Sequence, residues 1–279
     1  MRTVHSDAIT EAVARMCVHA NRHLPRDVRD CLNARAALES SPAAREIFRQ
    51  LKANYELAEE SGLPLCQDTG AAVFFIDMGQ DVHVEGMDIR EAVNTGVRKG
   101  YVEGRLRKSM CDPFTRANTG DNTPAIIHFT IVPGDKLRIA FLAKGGGSEN
   151  MSRVTMLAPA EGWEGIKKFV LTRVAESGSN PCPPTIIGIG IGGTFDYAPI
   201  LAKKALLRRL GDSNPDPALD AREKELLAEL NKLGIGPMGL GGLTTTLDVK
   251  IAAMPCHIAS LPLAVNVQCH SARHEEVEL

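Results

Sequence analysis

Leu63-Pro64-Leu65-Cys66-Gln67-Asp68-Thr69-Gly70, followed by Ala71-Ala72-Val73-Phe74-Phe75-Ile76-Asp77-Met78, is the stretch on which the reading of this chain turns. Proline at 64 and glycine at 70 punctuate a loop. The run before it has helical character, and the run after it has the aromatic and β-branched content of a strand. A helix, a tight turn and a strand in that order make a rigidly anchored loop, the kind of place where binding and catalytic groups sit. This one presents a thiol, Cys66, and a carboxylate, Asp68, two residues apart. Two readings are open here: Cys66 as ligand to a soft metal centre with Asp68 moving a proton, or Cys66 as a small core hydrophobe beside a turn-forming aspartate.

Upstream, residues 6–61 read as helices. Ser6 is placed to cap a segment with Ile9, Val13 and Met16 on one stripe, and Ser41-Pro42 supplies an N-cap with proline at the first helical position. The last helix runs to about Ser61, with Gly62 as its stop. Packing and a solvated face account for Cys17, Cys31, His19 and His23.

Downstream, residues 88–103 form an amphipathic pattern that leads into the basic run Gly104-Arg105-Leu106-Arg107-Lys108-Ser109, either a solvated face or a carboxylate clamp. Asn118-Thr119-Gly120-Asp121-Asn122-Thr123-Pro124 is a loop of turn formers. Residues 124–132 and 136–144, around Pro133-Gly134-Asp135, predict a β-hairpin. Lys144-Gly145-Gly146-Gly147-Ser148-Glu149-Asn150 lets backbone approach a ligand closely, and its lysine precedes the glycines, unlike a phosphate-binding loop. A helix over 159–177 precedes a second proline-bracketed cysteine, Asn180-Pro181-Cys182-Pro183-Pro184.

Residues 185–193 form an apolar strand that ends in Gly188, Gly190 and Gly193, a GxGxxG match, before a helix containing residues 203–210. A dinucleotide site requires an acidic residue closing a second strand about 20 residues on; that distance falls in a loop at 211–215. A tight strand-to-helix turn is the plainer reading. Residues 217–233 read as a helix, 234–242 as a loop, and 243–254 and 261–268 as strands. The whole is a mixed α/β fold with a helical N-terminal portion.

Bulk composition narrows the function classes. With 279 residues, 44% hydrophobic and 24% charged, the chain has the composition of a folded globular protein. Thirty-two basic against 34 acidic residues, and only 4% aromatics, exclude an electrostatic footprint for nucleic acid or anionic membrane and a base-stacking platform. The opening residues give no signal peptide or membrane span, so a cytoplasmic location is expected. The seven cysteines are odd in number, widely spaced and without a CxxC pair, which argues against a disulfide framework or a zinc ribbon. Cys66, Cys182 and Cys269 each adjoin loop signals. Three thiolates suit a cubane cluster with one iron left open, but cysteines this far apart have no fixed sequence grammar, and spacing alone leaves chance placement open.

The motifs PLCQDTG, LRKSMCDPFTRANTGDNTPAIIH, AKGGGSEN, NPCPP, GIGIGGTFDYA, LGIGPMGLGG and PCHIASLPLAVNVQCH occur in order along nearly the whole chain. In these the sequence resembles class I iron–sulfur fumarate hydratases, specifically the α-chain of the two-subunit form. The resemblance implies a single α-type domain over 1–279, with a helical portion at 1–62 and a cluster-binding α/β portion at 63–279. It implies an oxygen-sensitive [4Fe–4S] cluster held by Cys66, Cys182 and Cys269. It also implies substrate contacts from Gln67 and Asp68, with Asp68 as a candidate for proton transfer. Arg107 is implied as a carboxylate ligand, Arg105 being its possible confusion, Gly147 as pocket lining and His257 as a hydrogen-bond partner of the substrate. Cys17, Cys31, Cys111 and Cys256 are left structural.

The activity so implied is reversible hydration of fumarate to L-malate, a step of the tricarboxylic acid cycle, with L-tartrate or mesaconate as alternative chemistry for the same architecture. The chain ends soon after Cys269, whereas single-chain members continue into a second domain with a threonine base and further basic ligands. A separate β-subunit is therefore expected to supply them, in an αβ or (αβ)2 assembly. A cluster-binding sensor and a nicotinamide-dependent dehydrogenase are the rivals from other classes.

Overall fold

A computed structural model of the chain describes residues 2–279. A short strand, β1 (Arg2–His5), leads into the helices α1 (Ser6–Arg22), α2 (Arg26–Leu38) and α3 (Pro42–Ser61). The 63–70 turn follows, then β2 (Ala71–Gly79), β3 (Val82–Glu85), α4 (Ile89–Glu103), β4 (Ile126–Val132) and β5 (Leu137–Lys144). One helical turn, α5 (Gly146–Glu149), leads through β6 (Arg153–Leu157) and α6 (Gly162–Ser177) to β7 (Thr185–Gly193), α7 (Tyr197–Ala205) and α8 (Pro217–Asn231). The strands β8 (Thr246–Cys256), β9 (Leu261–Gln268) and β10 (Arg273–Glu278) come last. This is the expected mixed α/β fold with a helical N-terminal portion. No helix among the described residues is long and apolar enough to cross a membrane.

The chain divides into two compact units. The first takes the residues up to Pro25, Tyr55–Gly146 and Arg273–Leu279; the second takes Arg26–Asn54 and Gly147–Ala272. The first is built on a four-stranded sheet of order β10-β5-β2-β4, with β1 and β3 paired separately. Its centre is β2. Ala72, Val73, Phe74, Phe75 and Ile76 are all buried, and Phe74 lies opposite Phe141 of β5 with ring centroids 5.1 Å apart. Burying an aromatic side chain of this kind contributes about 1.5–3 kcal/mol. Asp88 caps α4 by accepting the Arg90 and Glu91 N–H groups, and Ala92, Val93, Gly96, Val97, Gly100 and Tyr101 form its buried face. Gly96 and Gly100 let α1 approach, because a Cβ at these positions would stand 2.6 Å from Val13 Cβ and 2.8 Å from the Ala14 carbonyl.

The expected hairpin of 124–132 with 136–144 does not form. Both strands exist, but β2 lies between them, parallel to β4 and antiparallel to β5. The most apolar strand takes the central place, where both its backbone edges are paired and both its faces are covered. The Ser6 cap is also corrected: His5 caps α1 by accepting the Asp7 N–H, and the buried Ser6 hydroxyl accepts from Met87 N–H instead. At the start of α3, Ser41 does accept the Ala44 N–H ahead of Pro42.

The second unit holds a sheet of order β6-β9-β7-β8. Here the glycines of the GxGxxG match serve packing. A Cβ at Gly188 would fall 2.2 Å from the Ala202 carbonyl, and one at Gly190 would fall 2.0 Å from that of Ala198, so α7 lies on β7 only because these side chains are missing. The helix itself ends at Ala205, short of the 203–210 span expected.

Candidate functional site

The 63–70 turn is held from many sides. Leu65 N–H donates to the Asn21 carbonyl at 2.8 Å, and Thr69 Oγ1 donates to the Arg107 carbonyl at 2.6 Å. The Tyr101 hydroxyl donates to the Thr69 and Gly70 carbonyls at 2.8 and 3.2 Å, and Asn122 Nδ2 donates to Gly70 O at 3.1 Å. Burial pushes the Tyr101 phenol far above its ordinary range, so it remains a donor. Gly70 has a φ of +76°, and a Cβ there would stand 2.8 Å from the Lys144 backbone. Only glycine fits that approach.

At the turn, Cys66 Sγ accepts the Asp68 N–H at 3.4 Å. The Asp68 carboxylate accepts three bonds: Gly70 N–H at 3.0 Å and Ser109 Oγ–H at 3.3 Å on Oδ1, and Gly146 N–H at 2.7 Å on Oδ2. Asn122 accepts the Ser109 and Met110 N–H groups, which fixes the segment after Arg107 against the turn. Gln67 and Arg107 are exposed, with buried Leu106 anchoring the arginine's neighbour position. Thr69 latches the Arg107 main chain and leaves its guanidinium clear, whereas Arg105 sits at the end of α4 with a φ of +53°.

In the second unit, Cys182 and Cys269 lie on adjoining loops. His270 joins them: its ring Nδ1 lies 2.8 Å from the Cys182 carbonyl, and its N–H donates to the same oxygen at 3.5 Å. Cys182 adopts a left-handed φ of +54° and donates its N–H to Ser179 O. Gly147 is exposed, and a Cβ there would meet the Asn180 carbonyl at 3.5 Å. His257 stands on the exposed tip between β8 and β9, where its contacts are local, Nδ1 accepting the Ala259 N–H at 3.1 Å.

The cysteines sort by environment. Cys17 is fully buried and its thiol is pushed far up by burial; Cys31 is raised by burial too. Neither can readily supply a thiolate. Cys66, Cys182 and Cys269 are half-buried thiols on loops, a burial that Cys111 shares, while Cys256 is exposed. Around Cys269 the side-chain amide of Gln268, at 1% exposure, and the Ser271 hydroxyl have no hydrogen-bond partner among the described residues. Buried polar groups without partners are rare in native structures. Soft donors with spare polar groups beside them fit an iron–sulfur cluster, whose sulfurs accept hydrogen bonds. No three His, Cys, Asp or Glu side chains among the described residues are grouped as ligands of a single metal ion; a cubane instead takes one thiolate per iron.

Sequence reasoning reaches Gly146 only as one of the glycines around Gly147, and it does not single out Tyr101, Ser109, Asn122 or Arg273, whose Nη1 donates to the Asp68 carbonyl at 2.6 Å. Ser109 closes the basic run 104–109, and Asn122 falls in the run of turn formers at 118–124.

The family model described as fumarate hydratase (Fumerase) matches residues 10–278. The chain is 44% identical over 271 residues to a Methanocaldococcus jannaschii protein provisionally named L(+)-tartrate dehydratase subunit alpha, with 95% of each chain covered. It is 33% identical over 269 residues to the L(+)-tartrate dehydratase subunit alpha of Escherichia coli strain UTI89, covering 95% of this chain and 88% of that one.

Proposed function

The chain belongs to the iron–sulfur hydro-lyase family of fumarate hydratases, and on that premise we propose that it is the cluster-bearing α-subunit of an enzyme that reversibly hydrates fumarate to L-malate. The observation that carries the reading is Asp68, a carboxylate gripped by three donors two residues from a half-buried thiol. Cys66, Cys182 and Cys269 are the thiols that would hold a [4Fe–4S] cluster. When bound, the cluster supplies an open iron as Lewis acid toward the substrate's hydroxyl and carboxylate.

The chain's own residues do the rest of its share. Arg107 binds a substrate carboxylate through its planar fork. Gln67 and His257 hydrogen-bond the substrate without adding negative charge, and Gly147 lets it lie against bare backbone. Asp68, fixed in orientation, moves a proton to or from the substrate or a bridging water. A β-subunit completes the site with a threonine base and further basic groups; the names of the relatives, each a subunit alpha, support a partner chain. A cytoplasmic setting, where thiols stay reduced, belongs to the same reading.

The same names favour a second substrate, L(+)-tartrate, whose dehydration would call on the same groups. Anaerobic co-expression with the β-type chain, followed by assays on fumarate, mesaconate and the tartrates with Cys182→Ser as control, separates the two. Fumarate turnover lost in the control bears out the first reading. Turnover of tartrate alone replaces the substrate and keeps the machinery, while no turnover of any of them overturns both.

A further inference from the structure

Arg273 opens β10 and is 1% exposed, the largest of the fully buried side chains. Its Nη1 donates to two neutral oxygens, Asn21 Oδ1 at 2.9 Å and the Asp68 carbonyl at 2.6 Å. Its Nε has no hydrogen-bond partner among the described residues. A buried guanidinium is costly unless it is paired with an anion. Here no carboxylate of the described residues forms an ion pair with it. A Cβ at Gly145 would stand 3.3 Å from Asp68 Oδ2 and 3.5 Å from Arg273 Nη2, so the two groups close on the same bare stretch of backbone.

Asn21 ties this cation into the scaffold. It is fully buried near the end of α1, its Nδ2 donates to the Cys17 carbonyl, and its own carbonyl accepts from Leu65 at the start of the turn. The turn is thus gripped at Leu65 by the Asn21 main chain and at Asp68 by a guanidinium that Asn21 also holds. The carboxylate of Asp68 is separately oriented by Gly70, Ser109 and Gly146. Those three bonds set the direction of the side chain only if the Asp68 backbone is already fixed, and Arg273 is the charged group that fixes it.

We propose that Arg273 is a positioning residue for Asp68: it acts on the proton-transfer step through the Asp68 main chain, without touching substrate. The proposal rests on the functional reading of Asp68 given above. A small misplacement of a reacting group can cost about 100-fold in rate. The step affected is the one made by Asp68, so kcat is expected to fall while KM holds.

The test is a double-mutant cycle on the αβ enzyme with Arg273→Met, Asp68→Asn and the pair, together with Arg273→Lys. In Arg273→Met, kcat is expected to fall about 10–100-fold with KM within about threefold of wild type. The double variant is expected to match Asp68→Asn in kcat within about threefold, because a residue acting through Asp68 has nothing left to act on. Lysine at 273, which keeps the charge and a donor, is expected to recover part of the loss. Amide exchange gives a readout free of activity: peptides covering Gly70 and Gly146 should exchange about 10-fold faster in Arg273→Met while the 274–278 strand stays protected.

Equal, multiplicative losses in the double variant would overturn the proposal, as would a fall in kcat tracked by general unfolding and loss of strand protection. Should the wild-type complex turn over no dicarboxylate, the functional reading falls by itself. Exchange at Gly70 and Gly146 then decides whether Arg273 holds the turn, and unchanged exchange overturns that as well.

Discussion

The 63–70 turn and the exposed tip at 257–259, just past β8, both bear groups proposed to meet the substrate, and they are built in opposite ways. The turn exchanges hydrogen bonds with α1, α4, the 107–122 segment, Gly146 and β10, and its central carboxylate has three donors of its own. The tip is exposed throughout, Ile258 at 91%, and its bonds run from Ala259 N–H to His257 Nδ1 and from Ser260 to the His257 carbonyl. A group held as Asp68 is needs no reorganisation when it reacts, which is where preorganised sites gain rate. A group held as His257 is takes its final geometry from whatever covers it. Damage to the turn should therefore appear in kcat or in folding, and damage to the tip in binding.

The largest effect tests the turn's chemistry. Asp68→Asn keeps the shape and one acceptor oxygen, enough for Gly70 and Ser109 but not for Gly146, and kcat should fall about 10²–10⁴-fold with the melting temperature lowered by only a few degrees. A loss confined to KM would move Asp68 to the binding side of the comparison. Next comes the turn's backbone. Gly70→Ala places a Cβ 2.8 Å from the Lys144 main chain at a φ of +76°, and denaturant unfolding should show a loss of about 2–4 kcal/mol. Gly120→Ala is the sharper control, since φ is +83° there and no atom lies within 4 Å; backbone strain alone should cost about 1–2 kcal/mol.

At the tip, His257→Ala should raise KM about 10-fold, with stability changed by less than about 0.5 kcal/mol. An unfolding shift above that would show the tip to be more firmly built than its contacts indicate. The smallest effect concerns the loop behind the turn. Thr123 and Arg98, 2.9 Å away, outweigh the burial that would raise the Asp121 carboxyl, and hold it at about 2. A carboxyl held below its unfolded value near 3.9 adds stability above that pH, and the gain is lost as pH falls toward about 2. Arg98 is partly exposed, so screening limits the gain to about 1 kcal/mol. Asp121→Asn should flatten this part of the acid-unfolding profile relative to wild type; an unchanged profile would remove the pair from the account.

The sequence made the turn and β2 legible because their signals are local: proline and glycine punctuation, then an apolar run. Helix α4 was legible for the same reason, with Asp88 ahead of a periodic stripe. What packs against these elements was not. Arg273 reaches Asp68 across 205 residues and Asn122 reaches Gly70 across 52, and no local pattern encodes either meeting. The hairpin expectation failed because two strands joined by a tight turn signal were free to admit a third, more apolar strand between them. The glycines of 188–193 show the converse. Their spacing is that of a phosphate loop, yet their meaning lies in the Ala198 and Ala202 carbonyls packed on them, which only the fold brings there.

Cys66, Cys182 and Cys269 are proposed to hold one cluster. The most direct measurement is iron and acid-labile sulfide per chain after anaerobic purification, with electron paramagnetic resonance of the reduced protein, in wild type and in serine variants of Cys66, Cys182, Cys269, Cys31 and Cys111. About four iron and four sulfide are expected in wild type, with loss of the signal in each of the first three variants and its retention in the last two. A full cluster surviving in Cys66→Ser would contradict this proposal and return that thiol to the core of the turn.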